Sequence, residues 1–124
     1  MLRCAAFFAL VSGPLSAATL ECTFVTECCE TEGCSDTSYD LTYSYPDDLM
    51  DVMDNSGTVS DITETFAARP FQSEAGDVIG FWATQPSGDT RVLTLADGVG
   101  RYSVHMPASG LGLYYLGSCE VKGL

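Results

Sequence analysis

Apolar and polar side chains alternate along residues 39–45, and this period of two most constrains the fold. One face carries Tyr39, Leu41, Tyr43 and Tyr45, and the other carries Asp40, Thr42 and Ser44. Successive side chains of a strand point to opposite faces, whereas a helix would spread the same residues around its axis. The pattern therefore predicts a strand with one buried and one solvated face.

Similar patterns recur on both sides of this segment. An earlier strand is predicted around Leu20, Cys22 and Phe24. A polar, cysteine-rich connection over residues 26–36 joins it to the strand at 39–45. Further strands are predicted at 58–66, 78–84, 91–95, 101–106 and 111–121. The residues between them at 85–89, 96–98 and 107–110 are typical of turns, and 67–76 is predicted as a loop turned by Arg69-Pro70.

Short strands with brief turns predict an all-β fold, a small antiparallel meander that closes as a barrel or a sandwich. One short helix is expected near 47–54, where Pro46 and acidic residues precede a helical spacing of Leu49, Val52 and Met53. Large aromatic side chains, Trp82 and Tyr115 among them, are expected in the core. Tyr114 has the opposite phase and is expected on the outer face or inside a second layer.

The first 18 residues have the pattern of an export signal. Arg3 precedes an apolar run over residues 4–11, and small residues at 16–18 supply a cleavage site. The run is shorter than the roughly 20 residues that span a bilayer, although an uncleaved anchor or a buried helix is the alternative. The sequence thus predicts a signal peptide at 1–18, a single disulfide-stapled domain at 19–124, and a periplasmic or secreted location, with no membrane span after cleavage.

The chain has six cysteines, and Cys4 lies within the predicted signal. In an exported protein the remaining five are read first as disulfides. Cys22 and Cys119 occupy the apolar faces of the first and last strands, which meet when a meander closes, so a Cys22–Cys119 bridge is predicted. A local bridge is expected from Cys28 or Cys29 to Cys34, and the leftover thiol allows a monomer or a disulfide-linked dimer.

No metal or cofactor site is predicted. Cys28, Cys29 and Cys34 are the rival zinc ligands, but zinc sites favour paired cysteines two to four residues apart and histidine. The chain holds one histidine, His105, far from them in sequence. A calcium loop aligned on Gly57 fails because non-acidic residues occupy its first and last ligand positions.

The sequence also lacks the patterns of catalysis. There is no G-x-S-x-G nucleophile motif or phosphate-binding glycine loop, and His105 alternates with Arg101 and Ser103 on the polar face of its strand. The chain is therefore predicted not to be an enzyme. Five basic residues against 17 acidic ones give a formal charge of −12, which disfavours nucleic acid. This charge would attract a cationic protein partner, and the alternative is that the acidity only keeps a secreted protein soluble.

Two resemblances concern function. The strand Tyr115-Leu116-Gly117-Ser118-Cys119-Glu120, preceded by Gly100-Arg101-Tyr102-Ser103, resembles the end of small exported bacterial β proteins of unknown function. Three segments are similar to elements of periplasmic and membrane-bound inhibitors of C-type lysozyme. They are Leu20-Glu21-Cys22, Cys119 and Gly98-Val99-Gly100-Arg101-Tyr102. Asp97 stands where those inhibitors have a loop serine.

The second resemblance implies a small barrel with an early and a late cysteine bridged, and a loop that enters the lysozyme cleft. Arg101, Tyr102 and Ser103 would then lie near the partner. Two functions follow as expectations, namely a non-enzymatic binding module for a cationic partner and, as the alternative, an inhibitor of C-type lysozyme.

Overall fold

The computed structural model describes residues 18–46 and 56–123, which form eight antiparallel strands. In chain order they are β1 (Thr19–Cys29), β2 (Gly33–Ser44), β3 (Gly57–Ser60), β4 (Thr65–Gln72), β5 (Ile79–Thr84), β6 (Thr90–Ala96), β7 (Val99–Met106) and β8 (Leu111–Lys122). Each strand pairs with the next, and β1 also pairs with β8, so the sheet closes into a barrel. The predicted all-β meander is confirmed in its barrel form.

No helix occurs within the two described stretches. The helix predicted near 47–54 lies outside them, as do residues 1–17 of the predicted signal peptide. The described chain starts at Ala18, which is buried, and its carbonyl oxygen accepts a hydrogen bond from the Tyr45 N–H at 3.0 Å.

Inward side chains of β1 to β7 fill the barrel interior, and the inner side chains of β8, such as Tyr115 and Val121, are partly buried and pack against them. The fully buried large residues are Tyr43, Tyr102, Phe24, Phe81, Leu20, Leu41, Leu93 and Val59. The aromatic members contact one another, and the Tyr43 and Phe81 ring centroids lie 4.9 Å apart. The Tyr43 hydroxyl donates a hydrogen bond to the Ala68 carbonyl at 3.0 Å, which satisfies its polar end inside an apolar core.

The seam between β1 and β8 closes the barrel. Cys22 and Cys119 are directly paired across it, and their sulfur atoms are bonded at 2.08 Å. Next to this bridge the backbones come so close that a Cβ on Gly117 would lie 2.0 Å from the Thr23 carbonyl oxygen. Only glycine fits at this position, and the predicted link between the first and last strands is present.

The segment 58–72 differs from the sequence interpretation. Residues 58–66 form no single strand, because Asp61 and Glu64 close a tight turn between β3 and β4. The predicted loop at 67–76 is wrong, since β4 runs through Arg69 and Pro70. Proline is tolerated because, within the described stretches, β3 pairs with β4 only as far as Ala68 and Pro70 has β5 as its one strand neighbour.

Two further interpretations need correction. Residues 26–36 are not a loop, because β1 and β2 continue pairing to Cys29 and Gly33 around a three-residue turn. Trp82 is not in the core, since it is 43% exposed and lies beneath the Arg69 guanidinium. Phe81 takes the inward position on that strand. Tyr114 lies on the outer face as expected.

Candidate functional site: the acidic arm and the barrel mouth

The part of the β1–β2 hairpin nearest its turn, residues 26–40, extends beyond the end of β3, and we call it the arm. On one side β1 pairs with β8 up to Cys29 opposite Leu113. On the other side β2 meets β3 only at residues 42–44. Among the described residues the arm portion of β2 therefore has a strand neighbour on one side only.

The arm is acidic throughout. It carries Glu27, Glu30, Glu32, Asp36 and Asp40, and no lysine or arginine occurs between Arg3 and Arg69 in the sequence. Apart from Glu27, which is half-buried, these carboxylates are exposed. A surface of one charge sign produces an electrostatic potential that attracts cations and repels anions.

A register shift between Phe24 and Thr26 determines which side chains face inward on the arm. Beyond it Glu27 is paired with Tyr115, whose hydroxyl donates a hydrogen bond to the Glu27 carboxylate at 3.1 Å. Cys28 is instead paired with the outward Tyr114, and its sulfur is bonded to that of Cys34. The local bridge thus uses Cys28, and Cys29 is the free cysteine among those described.

Cys29 lines a shallow cavity of about 270 Å³ on the inner side of the arm. Its thiol lies 3.3 Å from the Thr31 hydroxyl. The lining comprises Glu27, Cys29, Glu32, Gly33, Cys34, Ser35 and Leu113. Both charged groups in this lining are carboxylates, so the cavity disfavours anions.

The β3–β4 turn, residues 61–64, lies at the barrel opening beside the arm, which we call the mouth, and its side chains bond to β2 and β6. Its Asp61 carboxylate accepts a hydrogen bond from the Tyr39 hydroxyl of β2. The same carboxylate accepts the backbone N–H groups of Thr63 at 2.7 Å and Glu64 at 2.9 Å. Glu64 in turn forms a salt bridge with Arg91 of β6, so the turn is held across the opening.

Beneath these ties the tyrosine rings form a packed cluster. The rings of Phe24, Tyr39, Tyr102 and Tyr115 have centroids between 4.9 and 6.3 Å apart. The Arg91 guanidinium lies 4.7 Å from the Phe66 ring centroid. The guanidinium also lies close to the Tyr102 hydroxyl. Within the described residues neither that hydroxyl nor Arg91 Nε meets the geometry of a hydrogen bond.

Burial keeps these phenols protonated. It raises the pKa of Tyr102 to about 12, against the opposing pull of the Arg91 guanidinium. Burial and the hydrogen bond to Glu27 raise the pKa of Tyr115 to about 12. Partial burial pushes the pKa of Asp61 upward, but the hydrogen bonds from Tyr39, Thr63 and Glu64 outweigh it and lower that pKa.

The three residues predicted near a partner do not share a surface. Arg101 is exposed on the outer face of β7, Ser103 is half-buried on the same face, and Tyr102 points inward and is 1% exposed. The Tyr102 side chain is therefore a core residue. The nearby turn at Asp97-Gly98 has φ of 52° and 77°, the left-handed pair expected of a two-residue hairpin.

Sequence reasoning missed the residues that close the mouth. Glu27, Glu64 and Arg91 had no pattern that placed them inward, because Glu27 depends on the register shift and the other two on a contact between distant strands. His105 is exposed, opposite Thr90 and Gly112. No group of three or more His, Cys, Asp or Glu side chains among residues 18–46 and 56–123 is positioned to hold a metal ion.

Within the described chain, no helix is long and apolar enough to cross a membrane. Searches against protein-family models, curated proteins and solved structures each returned no match.

Proposed function

We propose that this chain is an exported, non-enzymatic binding module whose acidic arm engages a cationic protein. The observation that carries the proposal is the arm itself, a hairpin that continues past the end of β3 and carries five carboxylates and no basic residue. Two disulfides suit an oxidising compartment outside the cytoplasm. Surface charge of one sign accelerates association with an oppositely charged partner and selects against like-charged ones.

The distribution of basic residues supports this assignment. Lys122 Nζ lies 3.1 Å from Glu21 Oε1, at the end of the β1–β8 seam that is farther from the arm. Arg91 forms its salt bridge with Glu64 inside the mouth. Neither salt bridge involves a carboxylate of the arm, so the charges there are not neutralised by these pairs. A cationic partner would supply the missing positive charge.

Capture experiments on envelope extract test the proposal. The oxidised protein is immobilised, and bound proteins are recovered at low and at high salt. We expect cationic proteins that are released as salt rises, because added salt shortens the Debye length and so weakens the attraction between exposed charges. A bait with Asp36→Asn and Asp40→Asn should retain less of them than a bait with Glu74→Gln and Asp97→Asn, a matched loss of charge away from the arm. Equal retention would contradict the proposal.

Inhibition of C-type lysozyme is the second candidate function. It is supported by the Cys22–Cys119 bridge between the first and last strands, which matches the early and late bridged cysteines that the resemblance implies. The exposed Arg101 side chain is then the contact to test. Loss of lysozyme activity at micromolar protein, relieved by Arg101→Ala but not by Arg69→Ala, would support this candidate, and absence of inhibition would remove it.

A further inference from the structure

Among the described residues, the arm portion of β2 has no strand partner on the side that faces away from β1. Cys34 lies opposite Cys28 with their Cα atoms 3.9 Å apart, the narrow spacing of a pair that does not exchange backbone hydrogen bonds. The N–H and C=O groups of Cys34 therefore point away from β1. At the other end of the strand, the Tyr45 N–H points toward β1 and bonds to Ala18.

The backbone directions at these two ends of β2 fit a single alternation along the strand. Odd-numbered residues of β2 direct their backbone groups toward β1, and even-numbered residues direct theirs to the opposite side. Cys34, Asp36, Ser38 and Asp40 are exposed, and the pairing with β3 begins only at Thr42. Within residues 18–46 and 56–123, four consecutive even positions thus have a backbone donor and acceptor with no strand partner, which is the template for adding a strand.

The side chains at this edge define what can pair with it. Asp36 and Asp40 lie on the outer face, four residues apart, with Ser38 between them. Cross-strand neighbours on one face have Cβ atoms about 5 Å apart, and opposite charges there stabilise the pair. An added strand would place alternate side chains opposite Asp36, Ser38 and Asp40.

We propose that this edge binds an extended segment of a partner protein that carries two basic side chains four residues apart, by β-strand addition to β2. The proposal rests on the proposed function, because it names the part of a cationic partner that the arm recognises. A second copy of this chain is a poorer occupant, since antiparallel pairing of two such edges would set Asp36 and Asp40 against the same carboxylates.

A synthetic peptide tests the edge directly. The probe is acetyl-Thr-Lys-Thr-Val-Thr-Lys-Thr-amide, and its control carries N-methyl groups on the two lysines and the valine. Those residues lie opposite Asp36, Ser38 and Asp40, so N-methylation removes the edge hydrogen bonds while it keeps both charges. We expect saturable binding of the probe to the oxidised protein and at least about tenfold weaker binding of the control.

Protein variants separate the backbone contribution from the charge contribution. Ser38→Pro deletes one edge N–H without removing a charge or a bond to β1, and should weaken binding about tenfold. Ser38→Val keeps the N–H and should bind as the parent does. Circular dichroism verifies that each variant is folded, and slowed hydrogen exchange of the Asp36 and Ser38 amides on saturation gives a readout on the parent protein itself.

The outcomes distinguish this inference from the broader one. Equal affinity for the probe and its N-methylated control would overturn strand addition but leave electrostatic capture of a cationic protein standing. No saturable binding of the probe would also overturn it. A captured envelope protein that Ser38→Pro still retains would support the proposed function while refuting the edge. If the charges serve only to keep the edge unpaired, neither peptide binds.

Discussion

The barrel body and the arm are two regions built on the same strands, yet they are stabilised by opposite means. In the body, inward residues such as Phe24, Phe81 and Leu93 are fully buried. Across residues 30–36 of the arm every residue is exposed. Each region has one disulfide, spanning a sequence separation of 97 in the body and 6 in the arm. The difference teaches that burial of apolar side chains stabilises the body. The arm can be polar because it depends instead on strand pairing and on its own disulfide.

The two disulfides provide the largest test of this contrast. Cys22→Ala with Cys119→Ala opens the long loop and should lower the free energy of unfolding by about 4–5 kcal/mol. Cys28→Ala with Cys34→Ala opens the short loop and should cost about 2 kcal/mol. Urea unfolding of the non-reduced proteins measures both, and equal losses would refute the contrast.

Neighbouring residues on β5 sharpen the description of the body. Phe81→Ala empties a fully buried site and should cost about 3–5 kcal/mol. Trp82→Ala removes a larger side chain from the outer face, where the contact with Arg69 is partly solvated, and should cost about 1 kcal/mol or less. The same unfolding experiment compares them, and a larger loss for Trp82→Ala would contradict the assignment of the core.

Alkaline pH should loosen the body first. The pKa values of Tyr102 and Tyr115 are raised to about 12, so the folded state holds those protons more tightly than the unfolded state does. Their contribution is present below pH 10 and is lost as pH rises from 10 through 12. For Tyr102 it is about 2–3 kcal/mol. Tyrosinate absorbance should therefore rise together with unfolding, and ionisation of all tyrosines in a folded barrel would contradict this expectation.

Acid should instead release the turn that ties the mouth together. The hydrogen bonds to Asp61 lower its pKa, so its contribution is present above the ordinary value of 3.8 and is lost as pH falls below it. Asp61→Asn should cost about 1–2 kcal/mol at neutral pH and weaken the stability loss below pH 4. Denaturation midpoints across pH measure this, with Asp77→Asn as a surface control. Identical acid profiles of parent and Asp61→Asn would exclude the role.

The smallest effect is expected at Cys29. Its replacement by serine should change the free energy of unfolding by less than about 0.5 kcal/mol, because the thiol is half-buried at the edge of a shallow cavity. With residues 1–18 removed, thiol counting should find one thiol per oxidised monomer. Carboxylates around it should slow an anionic disulfide reagent more than a neutral maleimide, and the opposite order would contradict the acidic setting.

Most of the fold could be predicted from the alternation of apolar and polar side chains along the sequence. Tyr39, Leu41 and Tyr43 have the expected faces, and the placement of Cys22 and Cys119 on inward faces led to their pairing. Turns with glycine in the left-handed region, such as Asp97-Gly98, were also readable. These features are local, and each leaves a trace within a few residues.

The site was much less predictable because it depends on contacts between distant strands. Nothing in the residues around Arg91 indicates that Glu64, 27 residues earlier, lies beside it. Strand addition at β2 depends on where β3 ends, and that end is set by the Asp61–Glu64 turn. Residues 58–66 have a strand-like, β-branched composition, and this composition hid the turn that lies within them.

The register shift at Val25 has a consequence for how the chain can vary in length. Below it inward positions of β1 are even-numbered, as at Cys22 and Phe24, and above it they are odd-numbered, as at Glu27. One residue inserted between Phe24 and Cys28 would turn the inward side chains of the upper part of β1 outward and the outward ones inward. It would also separate Cys28 from Cys34. Insertions at residues 30–32 would only enlarge the tip. Relatives of this chain should therefore differ in length at the tip and keep the spacing from Phe24 to Cys28 constant.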